Sequence, residues 1–326
     1  MKKISIIIVT LIALVTTFSS CSTSSERVVI YTCLEDFRNQ ELQAQLNDKF
    51  DDIEVILYYQ STGKNAAKVK LEGANTPCDI VLGMDSSYSN MLNDCYAPIP
   101  DYDQSHYMED MQTEGKNYLT WERYGCAVVV NTDFLEKRGL EKPTCYEDLL
   151  KEEYKNMIVM PDPKSSSTGY ILVNHLVDVM GGEEEAFAYF DELTKNVLQF
   201  TSSGSAPINM LVQNEIGIGL SLTFTAVNKL NEGAPLEILY FDEGSPYSYS
   251  TFAMIEGKED DENVRKVFDF LYNDFVRYDK EHFSPELIFK DQEIVVDNFP
   301  KNINYATMND IDSIEYRDHL LGQWRY

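Results

Sequence analysis

Residues 27–59, RVVIYTCLEDFRNQELQAQLNDKFDDIEVILYY, decide the fold class of this chain. The run RVVIYT has the apolar, β-branched character of a buried strand, and DFRNQELQAQLNDKF has the spacing of an amphipathic helix. IEVILYY then predicts a second strand. A strand, a helix and a second strand in this order predict a β-α-β unit, and therefore an α/β protein.

The same alternation continues downstream. GKNAAKVKLEG predicts a helix, CDIVLG a strand and SSYSNMLND a short helix, before APIPDYDQSHY interrupts the rhythm and YGCAVVVNTDFL resumes it. We predict that a second α/β unit follows, with helices at 144–151, 168–180, 183–195, 205–213 and 225–231 and strands at 156–160, 197–200, 216–221 and 235–240.

The strand YSTFAMIEG and the helix ENVRKVFDFLYNDFV complete this pattern, and NDIDSIEYRDHLLGQW predicts a helical C-terminus with Trp324 on an apolar face. Strands that alternate with helices predict a mostly parallel sheet that is covered on both faces. A body of about three hundred residues is long enough for two hydrophobic cores and usually divides into two domains.

The N-terminus, MKKISIIIVTLIALVTTFSSC, has two lysines, an apolar run and small residues, which is the pattern of a secretory signal. FSSC at residues 18–21 resembles a lipobox, although such sites prefer Leu where this chain has Phe18. We therefore expect a signal peptide over residues 1–20, a lipid on Cys21 and a tether over 21–26. The alternative is ordinary secretion with full release.

The exported body is strongly acidic. Removing residues 1–20 deletes two lysines and leaves 25 basic against 54 acidic side chains, a net charge of −29. Such a charge repels nucleic acid and anionic lipid headgroups, so nucleic-acid binding is not expected. The negative electrostatic field of this acidic body also opposes the binding of a free anion.

The five cysteines of the body are spread along the sequence, without a CxxC pair. Because their number is odd, at least one thiol is unpaired within the chain, and their scatter favours structural rather than redox or zinc-binding roles. The sequence does not fix any pairing among them, including that of Cys78 with Cys95. The five are Cys33, Cys78, Cys95, Cys126 and Cys145.

Small hydroxyl residues recur where predicted strands end. In open α/β sheets, ligands bind outside the carboxyl ends of the strands, at the start of the following helices. Capping explains one such residue but not a repeat in both halves of the chain, so we predict a polar ligand cleft between two lobes. The candidate ligand-binding residues are Thr32, Ser61, Thr62, Asp85, Ser86, Ser166, Ser167, Thr168, Ser203, Ser205, Thr223 and Tyr247.

Catalytic patterns are nearly absent from the sequence. Ser61 and Lys64 match S-x-x-K, but the S-D-N and K-T-G motifs that accompany it in enzymes are missing. The four histidines have no metal-ligand spacing, so no metal and no cofactor are expected. We predict a binding protein rather than an enzyme. The alternatives are a surface hydrolase that uses Ser61 and Lys64, and a purely adhesive lipoprotein.

Four ordered segments, KLEGANTPCDIVLGMDSS, YGCAVVVNTDFL, VMPDPKSSSTGY and GLSLTFTAVNKLNEGAPLEI, resemble the extracellular solute-binding proteins of ABC importers, in the branch that serves ferric iron, thiamine and phosphate esters or phosphonates. The resemblance implies a two-lobe type II periplasmic-binding-protein fold with an interlobe ligand cleft and hinges near 122–126 and 246–250. It also implies a monomer that works with a membrane permease and its ATPase.

From this resemblance we expect lobe 1 to comprise residues 27–122 and 250–290, and lobe 2 to comprise residues 123–249. We expect a C-terminal helical segment, residues 291–326, to pack across both lobes.

The resemblance leaves several ligands open. Ferric-binding relatives carry a tyrosine pair where this chain has residues 222–224, LTF. DIVLGMD and PDPKSSSTG are similar to thiamine-binding relatives, but two aromatic positions of those relatives are lost here. Phosphonate and sugar-phosphate relatives use hydroxyls and backbone N–H groups, which the serine clusters supply. We therefore expect a phosphoryl ligand, with Asp85 as the partner of a cationic end and Tyr247 as a ring clamp or phenolic donor.

Overall fold

A computed structural model describes residues 27–326 of the chain. The strands are β1 (Arg27–Thr32), β2 (Glu54–Tyr59), β3 (Ile80–Asp85), β4 (Leu119–Asn131), β5 (Ile158–Pro161), β6 (Val197–Thr201), β7 (Ile218–Leu222), β8 (Leu236–Leu239) and β9 (Tyr247–Met254). The α-helices are α1 (Asp36–Lys49), α2 (Thr62–Glu72), α3 (Ser86–Met91), α4 (Thr132–Arg138), α5 (Ser167–Met180), α6 (Glu183–Leu193), α7 (Ala206–Val212), α8 (Thr223–Asn231), α9 (Glu262–Phe270), α10 (Val276–His282) and α11 (Ile314–Gln323).

The strands form one continuous path, β2-β1-β3-β9-β4-β7-β5-β6, with β8 also paired to β4. At the two ends the pairing is parallel: β1 pairs with β2 and β3, and β5 pairs with β6 and β7. The predicted β-α-β opening is therefore confirmed, and the α/β fold class with it.

The middle of the sheet differs from the predicted mostly parallel arrangement. Strands β4 and β9 run antiparallel to each other, from Leu119 opposite Phe252 to Gly125 opposite Tyr247. Beyond Gly125, β4 leaves β9 and pairs antiparallel with β7 and β8. Strand β4 therefore belongs to both halves of the sheet and connects them.

Each half of the sheet has its own hydrophobic cores. The half that holds β1 to β3 packs around Trp121, Phe252 and Phe268, whereas the half that holds β5 to β7 packs around Tyr170, Phe190 and Trp324. Separate cores on either side of a two-strand connection are the arrangement of two lobes. The exact lobe limits stated above stay a prediction.

The C-terminal segment 291–326 packs mainly with the second lobe. Phe299, Leu320 and Trp324 lie in the core of that lobe, and α11 also contacts α3 of the first lobe. As predicted, Trp324 is buried.

Several element boundaries differ from the predictions. The predicted helix at 144–151 is a short 3₁₀ turn, Glu147–Leu150, and the predicted long helix after β9 is α9 and α10 joined by a π-helical turn, Leu271–Phe275. The helices and strands predicted between 156 and 240 occur within a few residues of the expected positions.

All five cysteines of the described chain are unpaired thiols. None of the helices found between residues 27 and 326 has the length and apolar character of a membrane span. The predicted signal peptide, tether and Cys21 lipidation fall on residues 1–26, outside the described residues.

Candidate functional site

A cleft of about 70 Å³ lies between the two lobes, at the carboxyl ends of β1, β2, β3, β5 and β6. A single water needs about 10–15 Å³ of such space, so the cleft has room for several waters or a small polar group. Eight of the twelve predicted residues line it, and their role in binding stays a prediction. They are Ser61, Thr62, Asp85, Ser166, Ser167, Thr168, Ser203 and Ser205.

Thr32 and Ser86 do not line the cleft, and their predicted role in binding stays a prediction. The Thr32 hydroxyl donates to Asn39 Oδ1 at 2.9 Å and accepts from the Leu34 backbone N–H at 3.1 Å, so it closes the turn between β1 and α1. The Ser86 hydroxyl donates to the carboxylate of Asp312, which is distant in sequence. Both hydroxyls therefore already have protein partners.

Thr223 and Tyr247 also lie outside the cleft lining, at the connection between the lobes, and their predicted role in binding stays a prediction. Thr223 is buried, and its Oγ1 lies 3.5 Å from where a Cβ would stand on Gly125. The Tyr247 ring packs against the Tyr305 ring at 5.0 Å and against the Arg123 guanidinium at 5.4 Å. These side chains support the connecting strands rather than the cleft.

Besides α1, which begins after Glu35, three helices of eight or more residues begin at the cleft: α2, α5 and α8. Their N-cap residues are Ser61, Ser166 and Leu222, and in the described part of the chain none of the three caps makes a side-chain hydrogen bond to its helix. The first turn of a helix has N–H groups without an intrahelical partner and carries partial positive charge. The cleft is therefore bordered by N–H donors that capping does not satisfy.

The serine hydroxyls of the cleft are poorly satisfied by the protein. Ser61 Oγ is buried and has no hydrogen-bond partner within residues 27–326. A Cβ added at Gly204 would overlap Thr168 Oγ1, so the loop before α7 rests directly on the start of α5. Buried polar atoms are normally hydrogen-bonded, so an unpaired hydroxyl beside uncapped helix starts favours a bound polar ligand.

Asp85 lines the cleft, but its carboxylate is fully used by the protein. Oδ1 accepts from Arg317 Nη1 at 2.9 Å and from the Ser87 hydroxyl at 2.6 Å. Oδ2 accepts from the Tyr124 hydroxyl at 2.6 Å and from the Ser248 hydroxyl at 3.3 Å. Arg317 thus balances the charge of Asp85 within the protein, and the predicted role of Asp85 as the partner of a ligand cation stays a prediction.

Arg317 joins the two lobes behind the cleft. Besides Asp85, it donates through Nη2 to the Ser167 hydroxyl of α5 at 3.1 Å. Its guanidinium lies 4.2 Å from the ring centroids of both Tyr88 and Tyr170. Because Arg317 fills a lone pair of Ser167 Oγ, the hydroxyl proton of Ser167 remains available to an acceptor in the cleft.

A second buried arginine, Arg38, forms one wall of the cleft. Its guanidinium donates to Asp279 at 2.7 Å, to Glu122 at 2.9 Å and to Glu35 at 3.0 Å. Lys280 joins the cluster through Asp279 at 2.8 Å. Burial alone would raise the pKa of Glu122, but the positive charges of Arg38 and Lys280 lower it below its ordinary value. Every charged nitrogen of Arg38 thus has a carboxylate partner already.

Glu286 lies close to the connection between the lobes, where its Oε1 approaches Gly125. Its other oxygen accepts a hydrogen bond from the Tyr305 hydroxyl. Burial raises the pKa of Glu286 to about 7, although Tyr305 and Arg123 oppose this shift. This side chain is therefore a buried carboxyl that titrates close to neutrality.

The sequence did not reveal the charged residues around the cleft. Arg38 and Glu122 are 84 positions apart in the chain, and Arg317 and Asp85 are 232 apart. Glu35 and Arg38 stand three residues apart at the start of α1, a spacing that signals a local ion pair but not a cleft wall.

Comparison with known proteins finds distant relatives of this chain. An uncharacterized protein of Haemophilus influenzae is 26% identical over 260 residues, 77% of this chain and 74% of that protein. A thiamine-binding periplasmic protein of Brucella abortus is 26% identical over 158 residues, 48% of this chain and 45% of that protein.

A solved periplasmic binding protein from Actinobacillus pleuropneumoniae, with exogenous fructose-6-phosphate bound, superposes with a TM-score of 0.78. It is 21% identical and the match covers 91% of this chain and 97% of that one, which confirms the expected two-lobe type II fold. The family described as bacterial extracellular solute-binding protein matches residues 76–308. The chain therefore belongs to the family of bacterial extracellular solute-binding proteins.

Proposed function

We propose that this protein is the substrate-binding component of an ABC importer and that it captures a small phosphoryl compound, a phosphate ester or a phosphonate, in the interlobe cleft. The observation that carries the proposal is the set of uncapped helix starts at the cleft, together with the unpaired buried Ser61 hydroxyl. Helix N-termini with free N–H groups are suited to phosphate and related anions.

The acidic net charge of the chain does not oppose this proposal once the local charges are considered. Neutral donors in a site that excludes water hold an oxyanion strongly, because hydrogen bonds to charged acceptors gain strength at low dielectric. Three carboxylates line the cleft: Asp85 is paired with Arg317, and Glu122 and Glu35 are both paired with Arg38. The ligand therefore meets hydroxyl and N–H donors rather than unpaired negative charge.

The donors come from both sides of the cleft. Ser61 and Thr62 belong to the first lobe, whereas Ser166, Ser167 and Thr168 belong to the second. A ligand that bonds to both sets is bound best when the lobes are close together, so it shifts the balance towards the closed form. We propose that β4 and β9 act as the hinge, and that the closed form delivers the ligand to a permease and its ATPase.

We also propose that the protein is exported and anchored through a lipid on Cys21. The supporting observation is the signal-like N-terminus that ends in FSSC. A Cys21→Ser variant should lose incorporation of a labelled fatty acid and be released from membranes, whereas a Ser20→Thr variant should remain membrane-bound. Unchanged membrane attachment of Cys21→Ser would contradict the proposal.

The hydrolase alternative is weaker than the receptor. Lys64 is exposed, and Ser61 Oγ has no hydrogen-bond partner within the described chain, so the lysine does not activate the serine in this structure. We propose that the protein is not an enzyme. Incubation with phosphate esters should release no inorganic phosphate, and turnover that Ser61→Ala abolishes would favour the hydrolase.

A thermal-shift panel tests the ligand class. The panel compares inorganic phosphate, fructose 6-phosphate, aminoethylphosphonate, thiamine, thiamine monophosphate and ferric citrate. A ligand at about 100 times its Kd stabilises a protein by about 2.7 kcal/mol, which gives a clear shift in Tm. Stabilisation by phosphoryl compounds only is expected. Stabilisation by unphosphorylated thiamine, or by none of the phosphoryl compounds, would contradict the proposed ligand class.

A further inference from the structure

A second cavity, of about 460 Å³, adjoins the cleft. We call it the annex and define it by Glu35, Phe37, Ser205, Thr225, Asn228 and Phe283. Glu35 and Ser205 line both the cleft and the annex, so the two spaces share a boundary. The annex is much larger than the cleft, and residues of α8 in the second lobe face residues of the first lobe across it.

Glu35 is the carboxylate at this boundary, and one of its oxygens is open. Arg38 Nη1 donates to Glu35 Oε2 at 3.0 Å. No side-chain hydrogen bond to Glu35 Oε1 is present among residues 27–326, where Arg38 bonds to Oε2. This is the opposite of Asp85, where both oxygens are occupied. Glu35 is therefore the carboxylate of the cleft wall that retains an acceptor for a ligand.

Aromatic rings stand beside this carboxylate. Phe37 and Phe283 form an edge-to-face pair, with ring centroids 5.4 Å apart and planes inclined by 70°. An aromatic face together with a carboxylate is the chemistry that recognises ammonium groups, and quaternary ammonium in particular. Of the basic residues that line the annex, Lys229 pairs with Glu232 at 2.6 Å and His282 bonds through Nδ1 to the Tyr278 carbonyl, so neither pairs with Glu35.

The annex also contains a polar group without a partner. Thr225 is only 4% exposed, and its Oγ1 forms no hydrogen bond in the described structure. A buried hydroxyl without a partner costs stability, and it is usually explained by an absent ligand or water. The Thr225 hydroxyl is an observation independent of the Glu35 carboxylate, because it lies on a different element, α8.

We propose that the annex holds the organic part of the ligand and that this part carries a cationic nitrogen, so that the ligand is a phosphoryl compound with an ammonium or azolium group. This inference rests on the proposed binding of the phosphoryl group in the cleft. The phosphoryl oxygens bond to the hydroxyls, the cation lies between Glu35 and the Phe37 and Phe283 rings, and Thr225 hydrogen-bonds to the chain that joins them.

Two probes of nearly equal shape isolate the cationic charge. Phosphocholine carries a quaternary ammonium, whereas 3,3-dimethylbutyl phosphate has carbon in place of that nitrogen. Titration calorimetry on the full protein should give phosphocholine the tighter binding, by about tenfold, because a carboxylate and two rings act on its charge. In Glu35→Gln, which keeps the acceptor for Arg38, the two affinities should become equal. Asp48→Asn removes an exposed charge from the same helix and should leave the ratio unchanged.

Phe37→Leu supplies a second test, since it keeps an apolar side chain but removes the ring face. It should reduce the preference for phosphocholine and leave the affinity for inorganic phosphate unchanged. Equal affinities for both probes in the wild type, or an undiminished preference in Glu35→Gln and Phe37→Leu, would overturn the annex proposal alone. If neither probe nor inorganic phosphate bound, the proposed phosphoryl site and the annex proposal would fail together.

Discussion

The two sides of the cleft differ in how completely their polar groups are satisfied. Around Arg38 and Arg317, the buried arginines meet carboxylates at 2.7 to 3.1 Å, although Arg317 Nε has no partner in the described structure. The Ser61 hydroxyl, by contrast, has no partner, and the first turns of α2 and α5 have no capping side chain in the part of the chain that the structure describes.

We expect the ion-paired groups to stabilise the fold and the unpaired groups to bind the ligand. A buried ion pair that is fully matched sets geometry, and removing one member leaves the other charge uncompensated. An unmatched hydroxyl contributes little to folding but is free for a ligand. Changes on the arginine side should therefore reduce stability first, whereas changes on the hydroxyl side should reduce affinity and leave stability nearly intact.

The largest effect is expected for Arg38→Met, which removes the positive charge and leaves Asp279 and Glu122 buried. Breaking a buried pair of this kind typically costs about 3–5 kcal/mol, and urea unfolding should show that loss. Arg277→Met is the matched control, because Arg277 forms an exposed pair with Asp291 at 3.3 Å and such pairs contribute about 0–1 kcal/mol. Equal losses of unfolding free energy in the two variants would contradict the distinction between buried and exposed ion pairs.

A pH effect of similar size is expected from Glu286. Its pKa in the folded chain is about 7, against an ordinary value of 4.5, so the folded state binds the extra proton between these values. Stability should therefore fall as pH rises from about 4.5 to about 7, by about 3 kcal/mol. Urea unfolding at pH 5 and pH 8 should show the fall in the wild type and in Glu293→Gln, an exposed control, but not in Glu286→Gln. The same pH dependence in all three proteins would rule out this assignment.

A smaller loss is expected for Asp85→Asn, which keeps hydrogen-bonding atoms but removes the charge that faces Arg317. The expected loss of stability is about 2–3 kcal/mol. Affinity for phosphocholine and for 3,3-dimethylbutyl phosphate should fall by the same factor, since Asp85 is committed to Arg317. A selective loss of phosphocholine binding would support Asp85 as the partner of the ligand cation. Asp94→Asn, on the surface, should have no effect.

The smallest change in stability and a clear change in affinity are expected for the double variant Ser61→Ala and Thr168→Val, because the Ser61 hydroxyl has no partner within residues 27–326. Hydrogen bonds to a charged partner contribute about 1.5–3 kcal/mol, which corresponds to about 10- to 100-fold in Kd. Titration with the phosphoryl compound that gives the largest thermal shift measures the loss. Thr194→Val, a hydroxyl at the end of α6, is the control. Unchanged affinity in the double variant would place the ligand elsewhere.

Local sequence patterns were sufficient for the fold class and for much of the cleft. The β-α-β opening follows from hydrophobic periodicity, and Ser166 to Thr168 follow from the rule that ligands bind where strands end and helices begin. Both depend on residues that are close in sequence. The same rule also selected Thr32 and Ser86, which do not line the cleft, because it does not show whether a neighbour such as Asn39 or Asp312 already bonds to the hydroxyl.

Local sequence patterns could not predict the charged residues that line the cleft. Arg38 meets Asp279 across 241 positions, and Arg317 reaches Asp85 from the C-terminal helix. No periodicity links such distant residues, since their contact depends on how the two lobes and α11 pack together. For the same reason the sequence did not show that Asp85 is paired with Arg317, or that Glu35 lines the cleft.

Titration calorimetry with a phosphate ester and its parent alcohol tests whether the cleft recognises the phosphoryl group. Fructose 6-phosphate and fructose form one pair of compounds, and phosphocholine and choline form the other. If hydroxyls and helix N-termini form a phosphoryl site, at least one phosphorylated member binds with one-to-one stoichiometry and its parent alcohol gives no heat. Binding of a parent alcohol as tight as that of its phosphate ester, or no binding by either ester, would contradict the account.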